Sequence, residues 1–148
     1  MPKEQIDKDL KTALLSGDKD RAEVLRGLKS SILYAELAAN ARATGLSEEA
    51  FLAVLTKESK KRAESAELYT KAGAQDRADK ELAEKAIIDS YLPAQLDDAE
   101  LRAIVDEVIR STGANAQFGQ VIGAVRQKVG AKASGGRIAA IVKSTLGN

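Results

Sequence analysis

The stretch VGAKASGGR, Val129 to Arg137, comes nearest to a chemical signature in this chain. Gly130 is followed by four residues, then Gly135, Gly136 and Arg137. A nucleotide-binding P-loop reads Gly, four residues, Gly-Lys-Ser/Thr, and lies between a strand and a helix. Here the closing Lys and Ser/Thr are missing, and the preceding GQVIGAVRQKV has helical periodicity. The glycines read instead as punctuation: Gly130 ends one helix, and Gly135-Gly136 allow a tight turn into the next. Anion chemistry remains in another form. Ser134 is placed to cap the following helix, whose free N–H groups and positive dipole end suit a phosphate. Lys132 and Arg137 flank that end, Lys128 falls in the last turn of the helix before it, and Arg126 and Lys143 lie on either side in sequence. Arg126, Lys128, Lys132, Ser134, Gly135, Gly136, Arg137 and Lys143 are therefore the candidate contacts to a nucleic-acid backbone, since such groups position phosphates without reading bases.

Charge distribution points the same way. The net charge is +1, but residues 113–148 carry five basic residues and no acid, whereas residues 1–92 sum to −1 and residues 93–112 to −3. A uniformly basic end on a neutral body calls for an anionic partner. With two Phe, three Tyr and no Trp, stacking on single-stranded bases is poorly supplied. A second basic group, Lys57, Lys60, Lys61 and Arg62, stands among Glu58, Glu64 and Glu67. It reads as a solvated face laced by pairs such as Lys60–Glu64 and Lys61–Glu64, with a secondary RNA contact as the alternative.

Composition narrows the other chemistry, although Lys and carboxylates alone can serve an enzyme. There is no cysteine and no histidine, so no disulfide, thiolate nucleophile or Ser-His-Asp triad can be built. Ser16-Gly-Asp-Lys19 has the bare Ser-x-x-Lys spacing of some acyl-enzymes, but their Ser-Asp-Asn and Lys-Thr-Gly partners are absent. No acidic cluster has the spacing of a calcium loop. No catalytic residue, metal or cofactor is expected. The N-terminus is too charged for a signal-peptide core, and no apolar run approaches the roughly 18 residues of a membrane span. A cytoplasmic protein with no membrane partner is the expectation.

The elements that must position these groups are helices. Apolar residues recur at the 3.6-residue period almost throughout, and strand-like alternation is absent. Ile6, Leu10 and Leu14 mark a first helix stopped near Gly17. Leu25, Leu28, Ile32 and Ala35 mark a second, reaching towards Thr44-Gly45. Ser47 caps a third, with Phe51, Leu55, Ala66 and Tyr69, ending near Gly73. Asp76 is the expected cap of a fourth, with Leu82, Ala83, Ala86, Ile87 and Tyr91. Pro93 cannot continue that helix, and Asp97 with Glu100 forms a capping box ahead of the next. Three short helices follow, striped by Leu101/Ile104/Val105/Val108/Ile109, Phe118/Val121/Ile122/Val125/Val129 and Ile138/Ile141/Val142/Leu146. The expected fold is all-α: an N-terminal bundle of long helices over 1–92 and a small three-helix C-terminal domain over 93–148.

The order of LRGLKSSI (25–32), KESKKRAESAELYTKAGAQDRADKELAE (57–84), YLPAQL (91–96), FGQVIGAV (118–125) and KASGGR (132–137) resembles the YqeY family across essentially the whole chain. The family in turn is similar to the C-terminal domain of the B subunit of the tRNA-dependent amidotransferase. The chain departs from the family's pattern at Ser134, often acidic there, and at Gly73-Ala74, often Gly-Arg. The resemblance implies an all-α fold and an association with tRNA. It also carries the family's annotated activity, carbon–nitrogen ligase with glutamine as amido-N-donor, for which no suitable residues stand in this chain. Two readings follow: a tRNA-associated accessory protein holding RNA backbone through its basic C-terminal domain, or an adaptor for an aminoacyl-tRNA synthetase or amidotransferase subunit. For the adaptor, the Ala-rich AELAANARA (35–43) is the expected packing surface.

Overall fold

A computed structural model describes residues 2–147. The helices are α1 (Pro2–Ser16), α2 (Lys19–Ala38), α3 (Glu48–Lys71), α4 (Gln75–Asp89), α5 (Asp98–Thr112), α6 (Phe118–Val129) and α7 (Gly135–Leu146), with a 3-10 turn at Gly130–Lys132. There is no strand among the described residues, so the fold is all-α. The chain divides into two units, Met1–Leu92 and Pro93–Asn148.

In the first unit α1 and α2 form an antiparallel hairpin. Asp18 caps α2, accepting from the Arg21 N–H at 3.1 Å, and Gly17 makes the turn at φ 76°. Lys29 pairs with Asp7 at 2.6 Å, and Lys3 with the buried Glu36. α2 stops at Ala38, short of the expected Thr44-Gly45. The reason is local: Asn40 adopts φ 53° and Ala41 N–H returns to Glu36 O at 2.8 Å. Asn tolerates this left-handed position, and NARATG offers no large apolar group to bury with a further turn.

Ile6, Val24, Leu25, Leu28, Ile32, Phe51, Leu55 and Ile88 form the unit's core. Ser47 caps α3, its Oγ accepting from Ala50 N–H at 3.2 Å. α4 begins at Gln75, not after Asp76; Ala74 is its N-cap without a side-chain bond, and Asp76 sits in the first turn. The face of α4 also differs from expectation. Ala78 and Ile88 are buried, while Leu82 is half exposed. The α3–α4 seam explains this, because polar pairs fill it. Arg62 Nη1 lies 3.1 Å from Glu84 and 3.5 Å from Glu81. The buried Ser59 donates to Asp89 at 2.5 Å, and Lys85 reaches the other Asp89 oxygen at 2.5 Å. Arg62 Nε and Glu81 Oε2 are buried without a hydrogen bond, so the seam is not fully satisfied.

Tyr91, just beyond α4, donates to Asp9 of α1 at 2.5 Å, and Arg21 lies 3.9 Å from the same carboxylate oxygen. The Tyr91 bond holds Asp9 below its ordinary carboxyl range. Burial, then the Asp9 bond, push the Tyr91 phenol up to about 12.

In the second unit the capping box forms as the spacing dictates. Asp97 accepts from Glu100 N–H at 2.7 Å, and Glu100 accepts from Asp97 N–H at 2.9 Å. Gly113, at φ 90°, ends α5. The core is Leu101, Val105 and Val108 of α5, Val121, Val125 and Val129 of α6, Ala133, and Ile138, Ile141 and Val142 of α7. Phe118 departs from the expected stripe: it opens α6, beyond the core, and is 41% exposed.

Candidate nucleic-acid interface

The stretch that resembles a P-loop folds as helix, 3-10 turn, helix. Ser134 caps α7, its Oγ accepting from Arg137 N–H at 3.3 Å, while Ile138 N–H bonds Ser134 O at 3.1 Å. The N–H groups of Gly135 and Gly136 open the helix with no protein acceptor, as the first turn of any helix leaves them. No strand precedes them, so the geometry is that of a capped helix start and not of a nucleotide P-loop.

Arg126 lies against that start. A Cβ on Gly135 would fall 3.2 Å from Arg126 Nη2 and 3.7 Å from Cζ, so the glycine lets the guanidinium rest on the first turn of α7. Gly119, Gly123 and Arg126, spaced four and three apart, share one face of α6, and Gly136, Ala139 and Lys143, spaced three and four, share one face of α7. A Cβ at Gly119, Gly123 or Gly136 would meet no heavy atom within 4 Å. Both faces carry little side-chain bulk. Arg126 stands at one end, and Lys143 lies eight residues along α7 from Gly135, about 12 Å at the helical rise. Arg126, Lys132 and Lys143 have exposed side chains with no ion pair among the described residues.

Arg137 and Lys128 are placed differently. Arg137 Nη2 donates to Leu96 O at 2.7 Å and to Asp98 Oδ1 at 2.9 Å. Leu96 N–H donates to Lys132 O at 2.8 Å, and Gln95 Nε2 to Ala131 O at 2.8 Å. YLPAQL and KASGGR, distant in sequence, are thus two halves of one interlock, in which Arg137 is a clamp rather than a free cation. Lys128, on the other flank of α6, pairs with Glu107 of α5 at 3.3 Å.

The second basic group is largely neutralised. Lys60 lies 3.9 Å from Glu64. Lys61 pairs with Glu58 at 2.9 Å and not with Glu64. Arg62 turns into the α3–α4 seam. Lys57 alone of the four is exposed without an ion pair among the described residues.

Sequence reasoning missed Gly119, Gly123 and Ala139 as lining positions. The four-residue spacing of the two glycines within FGQVIGAV was the available signal. No group of three or more Asp and Glu among the described residues is arranged to hold a metal, and none of the described helices is long and apolar enough to cross a membrane.

A search of curated protein sequences finds no match. A family model described as Yqey-like protein matches residues 3–146, nearly the whole chain, and on that match the chain belongs to the YqeY family.

Proposed function

We propose that this protein is a tRNA-associated accessory factor that holds RNA backbone in a groove between the glycine-bearing faces of α6 and α7. The observation that carries the reading is the unpaired Arg126 guanidinium on the glycine start of α7, in a groove that Lys143 bounds further along. Free N–H groups at a helix start, unpaired cations and a floor without bulky side chains suit a phosphate chain approaching closely. The lack of any acid in residues 113–148 supports the same polarity of partner. The choice of tRNA over other RNA rests on the resemblance to the amidotransferase tail. Catalysis has no part in this reading, because a chain without Cys or His supplies none of the usual glutaminase nucleophile–base pairs.

Titration of unfractionated tRNA by fluorescence anisotropy tests the proposal. Three cations on phosphates give a log–log salt slope of about −2.1 to −2.7, so binding should weaken roughly 20- to 40-fold between 50 and 200 mM salt. Arg126→Glu with Lys143→Glu should abolish it. Absence of binding at low salt, or binding indifferent to that double substitution, would remove the reading. Arg137→Glu is the wrong probe, since it breaks the interlock as well as changing charge.

A further inference from the structure

Among the described residues the second unit exposes one large apolar side chain, Phe118, against seven in the first unit. Phe118 is also the second unit's one aromatic residue. The residues just before it, Gly113 to Gln117, carry no charge, and residues 113–148 contain no acid. Phe118, Ile122 and Arg126 are spaced four apart, so they form one ridge along α6. The ridge has an exposed ring at one end, a half-buried isoleucine, and at the other end a guanidinium with no ion pair among the described residues. Ring and guanidinium are eight residues apart, about 12 Å at the helical rise. The next ridge round α6 holds Gly119 and Gly123, and a Cβ on either would meet no heavy atom within 4 Å. Neither glycine raises a side chain beside the ring.

The surroundings of the ring decide what suits it. A protein interface of ordinary size takes about 800 Å² from each partner and centres on a cluster of apolar groups. With no second large apolar side chain exposed among the unit's described residues, Phe118 supplies no such cluster. A nucleobase makes a smaller demand, because one flat π face needs one ring against it. A base inside a continuous duplex already has both faces covered by its neighbours. Only an unpaired base, in a loop, a bulge or an end, can turn onto a side-chain ring. The cation on the same ridge fits the rest of such a nucleotide chain, since Arg126 can hold phosphate while the base leaves the stack.

We propose that Phe118 is a base-stacking residue of the RNA site: it takes one unpaired base while Arg126 holds the phosphate chain. The inference rests on the RNA reading of α6 and α7, and it narrows the ligand to RNA with an unpaired nucleotide rather than a continuous duplex. One ring does not alter the balance set by composition. Charge supplies most of the affinity, and the ring supplies the preference.

The chain has no tryptophan, so Phe118→Trp supplies a single reporter at the site itself. Its emission should be quenched by unfractionated tRNA and should recover at high salt. Anisotropy titrations then use tRNA, a fluorescein-labelled blunt RNA duplex, and the same duplex with an unpaired extension on one strand. Phe118→Ala should weaken binding of tRNA and of the extended duplex at least about fivefold, and of the blunt duplex by less than about twofold. Phe118→Leu, apolar but without a π face, should bind as Phe118→Ala does, and Phe118→Trp as the parent does. If tRNA does not bind at low salt, or binds indifferently to Arg126→Glu with Lys143→Glu, the RNA reading and this inference fall together. If tRNA binds and that double substitution abolishes it, the RNA reading stands and the inference can fail alone. Unchanged emission, a Phe118→Ala without effect, a Phe118→Leu equal to the parent, or equal losses for both duplexes each overturns it. So does self-association that Phe118→Ala removes, since the ring is then a protein contact. If Phe118→Ala fails to fold, the emission of Phe118→Trp decides.

Discussion

The two units are built from the same element and use charge in opposite ways. In the first, the basic run on α3 meets acids on its own helix and on α4: Lys61 with Glu58, Arg62 with Glu81 and Glu84, Lys71 with Glu67. In the second, residues 113–148 contain no acid, and the two cations that are paired borrow theirs from α5 and its cap region, Glu107 and Asp98. Arg126, Lys132 and Lys143 are left over. A count of lysines and arginines makes the α3 run and the C-terminal end look alike; partner geometry separates them. Exposed pairs on α3 add little stability, but they leave fewer unpaired cations on that face.

The largest way to test this contrast is to remove one unit's core. Val125 is fully buried among α5, α6 and α7. Val125→Asp puts a carboxylate into that small core, which costs several kcal/mol. Hydrogen exchange should show protection lost across 101–146 and kept across 24–88. Uniform loss would mean that the two cores fold as one. Next in size is the binding contrast: Lys60→Glu with Lys61→Glu should change tRNA affinity by less than about twofold, against complete loss for Arg126→Glu with Lys143→Glu. A comparable loss from both pairs would erase the distinction between the units.

Arg137→Ala should lower stability by about 1–2 kcal/mol in urea melts, because it removes charge-assisted bonds to Leu96 and Asp98. At conditions where the variant is folded, tRNA affinity should fall by no more than the loss of one charge.

The smallest effect is at Tyr91. Tyr91→Phe should cost about 1 kcal/mol near neutral pH. The sign of its pH dependence follows from the two shifts. Asp9, lowered in the folded state, contributes stability above its unfolded pKa that is lost as pH falls through the folded one. Tyr91, raised from 10.0 to about 12, contributes stability below 10.0 that is lost as pH rises through about 12. The difference between parent and variant should therefore be widest between about pH 4 and 10 and shrink on both sides. A pH-independent difference would assign the effect to packing.

Most helix starts were legible from one side chain, Asp76 being the exception. Asp97–Glu100, Ser47 and Ser134 all cap as their spacing implies, and the three short stripes meet in one core. The face of α4 was not legible, because its seam is made by Arg62, Glu81, Lys85 and Asp89, residues that hydropathy assigns to solvent. The end of α2 was missed because Asn40 takes a glycine-like conformation that composition does not mark. The candidate site was half legible. Types and charges pointed to the turn before α7, but only the fold distinguishes Arg126, which lies open on Gly135, from Arg137, which is used to hold Leu96.

The interlock has one more consequence, for portability. Gln95, Leu96, Asp98, Ala131, Lys132 and Arg137 all lie after Leu92, so a cut at Pro93 severs none of those bonds. A piece starting at Pro93 would keep every bond of the interlock, and its first residues would be held in place by the same turn that presents Gly135.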